Sequence, residues 1–128
     1  MVLADTSMFI DFWKRPTREV QMVFEQETIV ICGVVRAELL HGAISEKNIQ
    51  EISNLLSSFD ELNLESSDWQ MLGEQLYRLR THGITVPLSD AIIASVAIKN
   101  DIPVWSGDQH FEYMQKVLGG LKLYKKVP

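Results

Sequence analysis

The chain alternates short strand-like runs with longer stretches of helical spacing, and that alternation restricts its fold more than any other feature. Residues 2–4, 28–32, 61–64, 103–105 and 121–124 are short and apolar or β-branched, and they read as strands. Residues 6–13, 17–25 and 34–40 read as helices, the last ending at Gly42 as a C-terminal cap. Ser45 caps a helix whose apolar residues Ile49, Ile52, Leu55, Leu56 and Phe59 recur at a helical period. Ser66 or Ser67 starts another, with Trp69, Leu72, Leu76 and Leu79 on one stripe, ending near His82-Gly83. A short extended segment, 84–86, precedes Pro87. Ser89 then caps a helix that runs through Ile98, and 108–114 adds a helical turn or two. Strands separated by helices imply an α/β fold of three layers, α/β/α, around a central parallel sheet. The helix after Asp90 supports this: Ala91, Ile92, Ile93, Ala94, Val96, Ala97 and Ile98 make it apolar nearly all round, so it is expected to be buried.

With 128 residues the chain is expected to be one domain, 1–128, with one core. Its single cysteine, Cys32, excludes an internal disulfide and reads as a small buried hydrophobe in a strand, which fits a reducing compartment. The opening residues lack a basic region followed by an uninterrupted apolar stretch, because Asp5 and Asp11 interrupt it. No apolar run approaches the ~20 residues needed to span a bilayer. A cytoplasmic protein with no membrane partner is expected. Seventeen acids against twelve Lys and Arg give a net charge of −5, which argues against a sequence-independent coat for nucleic acid. It does not exclude a nuclease, since bound cations and local basic patches can guide phosphates. Three basic patches exist: Lys14, Arg15 and Arg18; Arg78, Arg80 and His82; and Lys122, Lys125 and Lys126.

Four acids stand where such a fold can bring them to one point. Asp5 ends the first strand and Asp108 follows the run that breaks at Gly107. Glu38 sits among Val34, Val35, Leu39 and Leu40, and Asp90 opens the buried helix. In parallel sheets, sites lie beyond the carboxyl ends of the strands where strand order reverses. Converging carboxylates repel one another unless a cation sits among them, and oxygen ligation suits a hard ion such as Mg²⁺ or Mn²⁺. Each acid also has an ordinary structural role open to it. Asp5 and Asp108 can cap the helices that follow, Asp90 can complement a helix dipole, and Glu38 can pair with a surface cation.

Taken together these residues resemble the PIN-domain family, and within it the VapC-type toxin ribonucleases. Asp5-Thr6-Ser7 is similar to the family's opening acid and hydroxyl after a short strand. Glu38-Leu39-Leu40-His41-Gly42 is similar to its helical Glu-Leu-x-x-Gly, and Asp90-Ala91-Ile92-Ile93-Ala94 to its Asp-x-x-Ile-Ala helix start. Ser106-Gly107-Asp108-Gln109-His110-Phe111 is similar to its hydroxyl-x-Asp-x-x-Phe element. The resemblance spans essentially the whole chain. It implies a metal-dependent endoribonuclease in which Asp5, Glu38, Asp90 and Asp108 surround Mg²⁺ (or Mn²⁺), with Thr6, Ser7 and Ser106 as supporting hydroxyls. Some relatives carry a further acid just after the last Asp; here Gln109 and His110 stand there, and the nearest extra acid is Glu112. Hydrolysis by an added water would leave a 5′-phosphate and a 3′-hydroxyl.

The resemblance also implies an RNA substrate, a small antitoxin of the VapB type and a homodimer. Helices bearing Phe9, Phe12, Trp13, Val20 and Phe24 carry more apolar surface than a short pair buries, and part of it is expected to meet the antitoxin or a second copy. Arg36, His110, Lys14 and Arg15 are the candidate substrate contacts. Asp11 lies four residues before Arg15 and reads as half of a surface ion pair. Trp69 and Trp105 read as core, and His41 and His82 as residues that complement helix-end carbonyls. Two other functions compete: a housekeeping PIN nuclease that matures RNA without an antitoxin, and an inactive PIN-like binding module. An aspartyl-phosphate enzyme is disfavoured, because a phosphatase wants Asp-x-Asp after the first strand and the chain has Asp5-Thr6-Ser7.

Overall fold

The computed structural model describes residues 1–125, so Lys126 of the third basic patch lies outside the described residues. β1 (Val2–Ala4) and β2 (Ile29–Cys32) are buried at every position, which requires cover on both faces of the sheet. β3 (Asp60–Leu62) pairs with β2 and β4 (Val104–Trp105) with β1, all parallel, in the order β3-β2-β1-β4. Leu3 sits between Val30 and Val104 at the centre of the sheet and is wholly buried. The chain builds β1, β2 and β3 outward in one direction, then returns to add β4 on the other side of β1. The reversal of strand order therefore falls between β1 and β4.

Seven helices cover this sheet among the described residues: α1 (Thr6–Lys14), α2 (Arg18–Gln26), α3 (Gly33–His41), α4 (Glu46–Leu56), α5 (Trp69–Thr81), α6 (Leu88–Asn100) and α7 (His110–Gln115). The result is the expected three-layer α/β/α arrangement. α6 is the buried helix that its composition predicts, with Ala91, Ile93, Ala94, Ser95, Val96 and Ala97 all inside. Phe9 anchors the layer over α1, edge-on to Phe24 at 5.4 Å and to Phe59 at 5.3 Å. Cys32 is buried, and burial pushes its thiol up to about 11, as fits an inert structural residue.

Several local expectations are corrected. Pro87, not Ser89, stands at the start of α6: its fixed φ of −57° suits that place, and its carbonyl accepts from the Asp90 and Ala91 amides. α5 is entered through a 3₁₀ turn at Ser66–Asp68, where Glu65 and Asp68 cap each other reciprocally; neither Ser66 nor Ser67 is the cap. Trp69, at the first position of α5, is 52% exposed rather than core, and the buried stripe is Leu72, Gln75 and Leu79. Gln75 tolerates burial because it accepts a hydrogen bond from Ser95 of α6. The run 121–124 makes only a single parallel bridge, Leu123 to Val104, rather than a full strand. Gly42 does end α3, but at φ −81°, so its left-handed freedom is not used.

Candidate metal and nuclease centre

The switch point between β1 and β4 places two chain turns side by side. Asp5 leaves β1 as the N-cap of α1, accepting from the Met8 amide at 3.3 Å. It is 4% exposed. Ser7 donates to Asp5 Oδ1 at 2.5 Å, and Ser106, just past β4, donates to Oδ2. Ser106 Oγ in turn accepts from the Asp108 amide at 2.8 Å, and Ser7 Oγ from the Gly107 amide at 3.3 Å. Two of the three predicted hydroxyls, Ser7 and Ser106, are thus the stitches that tie the β1 turn to the β4 turn. Burial pushes the Asp5 carboxyl above its ordinary value. Hydrogen bonds from Ser106, Ser7 and the Met8 amide pull it back, and the charge of Asp90 raises it further.

Asp90 arrives from the first turn of α6. His110, at the start of α7, faces it: Nδ1 stands 2.7 Å from Asp90 Oδ2 and 3.1 Å from Asp108 Oδ1. The His110 amide also donates to Asp108 Oδ1 at 2.9 Å. Burial again pushes the Asp90 carboxyl up, the His110 bond lowers it, and the charges of Asp108 and Glu38 raise it. Asp90, Asp108 and His110 each offer one ligand atom, and the three atoms lie within 4.8 Å of one another.

Glu38 reaches the same neighbourhood from the middle of α3. It accepts from Thr6 Oγ1 at 2.8 Å, and its charge is felt at Asp90, but it lies outside the tight trio. Asp5 is likewise outside that trio and is joined to it through Ser106. All four sequence-predicted acids and all three hydroxyls therefore belong to one connected region at the carboxyl edge of the sheet.

The candidate substrate contacts divide. His110 is inside the centre. Lys14 lines a groove beside Glu38. Arg15 stands 82% exposed past the end of α1, 4.0 Å from Asp11. Arg36 does not face the centre: its Nε donates to Glu61 Oε1 of β3 at 2.6 Å, which holds the Glu61 carboxyl below its ordinary value. His82 complements the Arg78 carbonyl at 2.7 Å, as expected.

Two features escaped the sequence. Asp11 pairs with Arg15 but also lines an open cleft of about 490 Å³ with Ser7, Gly107, Asp108, Gln109, His110 and Tyr113. Its i, i+4 spacing from Ser7 on α1 was the available signal. The apolar surface near α1 also differs from expectation. Phe9 is core, and Phe24 turns inward onto Phe9, Phe12 and Trp105. The outward apolar residues are Ile10, Ile44 and Leu55, which with Trp13, Lys14 and Glu38 line a groove of about 390 Å³.

The family profile described as PIN domain matches residues 2–117. The chain belongs to the PIN-domain family. This PIN domain is 28% identical over 127 residues to the protein named Ribonuclease VapC1 of Methanocaldococcus jannaschii, covering 98% of this chain and 88% of that one. It is 24% identical over 125 residues to Ribonuclease VapC11 of Mycobacterium tuberculosis, covering 91% and 93%. Its fold is similar to that in the crystal structure of DNA-bound VapBC from Salmonella typhimurium, with TM-score 0.82, 20% identity and 96% of each chain covered. Among the described residues no helix is long and apolar enough to cross a membrane.

Proposed function

We propose that this PIN domain, residues 1–128 as one unit, is a metal-dependent endoribonuclease toxin held in check by a small antitoxin of the VapB type. The observation that carries the reading is the meeting of Asp90, Asp108 and His110 beside buried Asp5 at the sheet's switch point. The relatives named as ribonucleases support RNA as the substrate.

The residues fit a divalent ion such as Mg²⁺ or Mn²⁺. Two carboxylates within ligand reach of each other need a counter-charge, and burial and neighbouring like charge push the Asp5 and Asp90 carboxyls above their ordinary values. Asp90 and Asp108 would hold the ion, with Asp5 and Glu38 beside it. Such an ion makes water a nucleophile at neutral pH and balances charge on the phosphoryl oxygens. The protein's own part is positional. Ser7 and Ser106 fix both oxygens of Asp5, and Thr6 fixes Glu38. The cleft past Asp108 and His110 gives the scissile phosphate access, and Lys14 offers a cation on the Glu38 side.

The groove of Ile10, Trp13, Ile44 and Leu55 suits an apolar segment of the antitoxin, and Glu38 in its wall puts that segment next to the acids. Structural neighbours that are VapBC complexes support a partner of this kind. The test compares induced expression of wild type and Asp5→Asn in a host lacking the antitoxin, with RNA incubated in parallel with each purified protein and Mg²⁺ or Mn²⁺. Growth arrest and cleavage are expected from wild type alone, and EDTA is expected to stop cleavage. Equal arrest from both proteins would end the catalytic reading.

A further inference from the structure

The geometry points to His110 as a nitrogen ligand of the divalent ion, making this a mixed nitrogen and oxygen centre that prefers Mn²⁺ to Mg²⁺. The inference rests on the metal-dependent nuclease reading above and deepens it. Adjacent ligands around an octahedral ion with bonds of ~2.1 Å stand about 3 Å apart. His110 Nδ1 lies 2.7 Å from Asp90 Oδ2 and 3.1 Å from Asp108 Oδ1, the spacing of neighbouring ligand positions. All three atoms lie within 4.8 Å of one another, so a single ion can be reached by all of them.

The ring is also held for the purpose. Phe111, the next residue, is 1% exposed in the core, and the His110 amide is tied to Asp108. The backbone under the imidazole is therefore fixed at both ends. The side chain itself is 36% exposed and borders the open cleft, so an ion and its waters can reach it. Mg²⁺ binds oxygen and yields little to imidazole, whereas first-row transition ions accept it. The rival account of the same contacts is electrostatic: an imidazolium acting as the counter-charge of Asp90 and Asp108, and leaving when metal binds.

Pulsed EPR on the full chain loaded with Mn²⁺ separates the two. A bound imidazole gives ¹⁴N modulation, which changes to ¹⁵N coupling when histidine is ¹⁵N-labelled. Because His41 and His82 are also present, His110→Gln is the control, and it is expected to abolish the nitrogen signal. Titrations of the metal-free proteins are expected to show Mn²⁺ affinity falling at least ~10-fold in His110→Gln, with a smaller change for Mg²⁺. His110→Asn keeps an oxygen near the position of Nδ1 and is expected to retain Mg²⁺ while losing the nitrogen signal; melting curves establish that both variants are folded. Mn²⁺ bound to wild type without imidazole coupling would overturn the inference and leave the nuclease reading standing. Failure of wild type to bind either ion would overturn both.

Discussion

Ser106→Ala removes one hydroxyl and should disturb both turns of the centre at once. Ser106 donates to Oδ2 of Asp5 and accepts from the Asp108 amide at 2.8 Å. Asp5 is 4% exposed, so water does not replace the lost donor. A hydrogen bond to a charged group contributes ~1.5–3 kcal/mol. At ~2.1 cal/mol/K per residue, the unfolding entropy of 128 residues is about 0.27 kcal/mol/K, so the melting temperature should fall by about 6–11 °C. The loss should depend on pH. The Ser106 bond favours ionised Asp5 and lowers its pKa, so its extra stabilisation exists where Asp5 is charged and is lost as pH falls through the folded pKa. That pKa lies above the ordinary 3.8, so the difference between variant and wild type should shrink before 3.8 is reached. Thermal melts in EDTA at neutral and acid pH measure this, with Ser106→Thr retaining the hydroxyl. A drop under about 2 °C at neutral pH, or one of equal size at both pH values, would refute the reasoning.

Three further outcomes are expected. Asp90→Asn should raise the melting temperature in EDTA at neutral pH, because burial and the charges of Asp108 and Glu38 raise the Asp90 pKa. A raised carboxyl pKa means the folded state binds the proton more tightly, so stability falls as pH rises from 3.8 through the folded pKa; the Asn gain should vanish in acid, and a destabilised Asn variant at neutral pH would contradict this. Gly33→Ala would place a Cβ 2.7 Å from Asn63 Oδ1, which accepts from the Gly33 amide at the start of α3. Loss of that bond should cost about 1–2 kcal/mol by denaturant melts, and pairing the change with Asn63→Ala should be clearly less than additive. Gln75→Leu should cost ~1–3 kcal/mol by stranding the wholly buried Ser95 hydroxyl, and adding Ser95→Ala should recover most of it.

The parts of the fold legible in the sequence are those governed by local periodicity. β1, β2 and the middle of α6 declare themselves because they are buried and almost wholly apolar. Chain reversals were harder. Pro87 displaced Ser89 because a fixed φ outweighed a hydroxyl, and Glu65 with Asp68 displaced the serines between them. Trp69 lies outside the core stripe expected for it, and the burial of Gln75 could not be read locally because its partner, Ser95, lies on another helix. The meeting of Asp5 and Asp108 was legible because topology carries the ends of β1 and β4 to one edge of the sheet. The link from His110 to Asp90 was not, since it joins residues twenty apart on two helices whose packing no local pattern encodes. The pairing of Arg36 was hidden for the same reason: Glu61, its partner, lies on β3, twenty-five residues further along the chain.

The most direct test of the account is the chemistry of the cut ends. Hydrolysis by water at the acidic centre leaves a 5′-phosphate and a 3′-hydroxyl, so fragments made by the wild-type protein should ligate to a 3′-hydroxyl acceptor without prior phosphorylation. Fragments ending in a 2′,3′-cyclic phosphate with a free 5′-hydroxyl would mean that the ribose 2′-hydroxyl attacked instead, and the proposed role of the four carboxylates would be wrong.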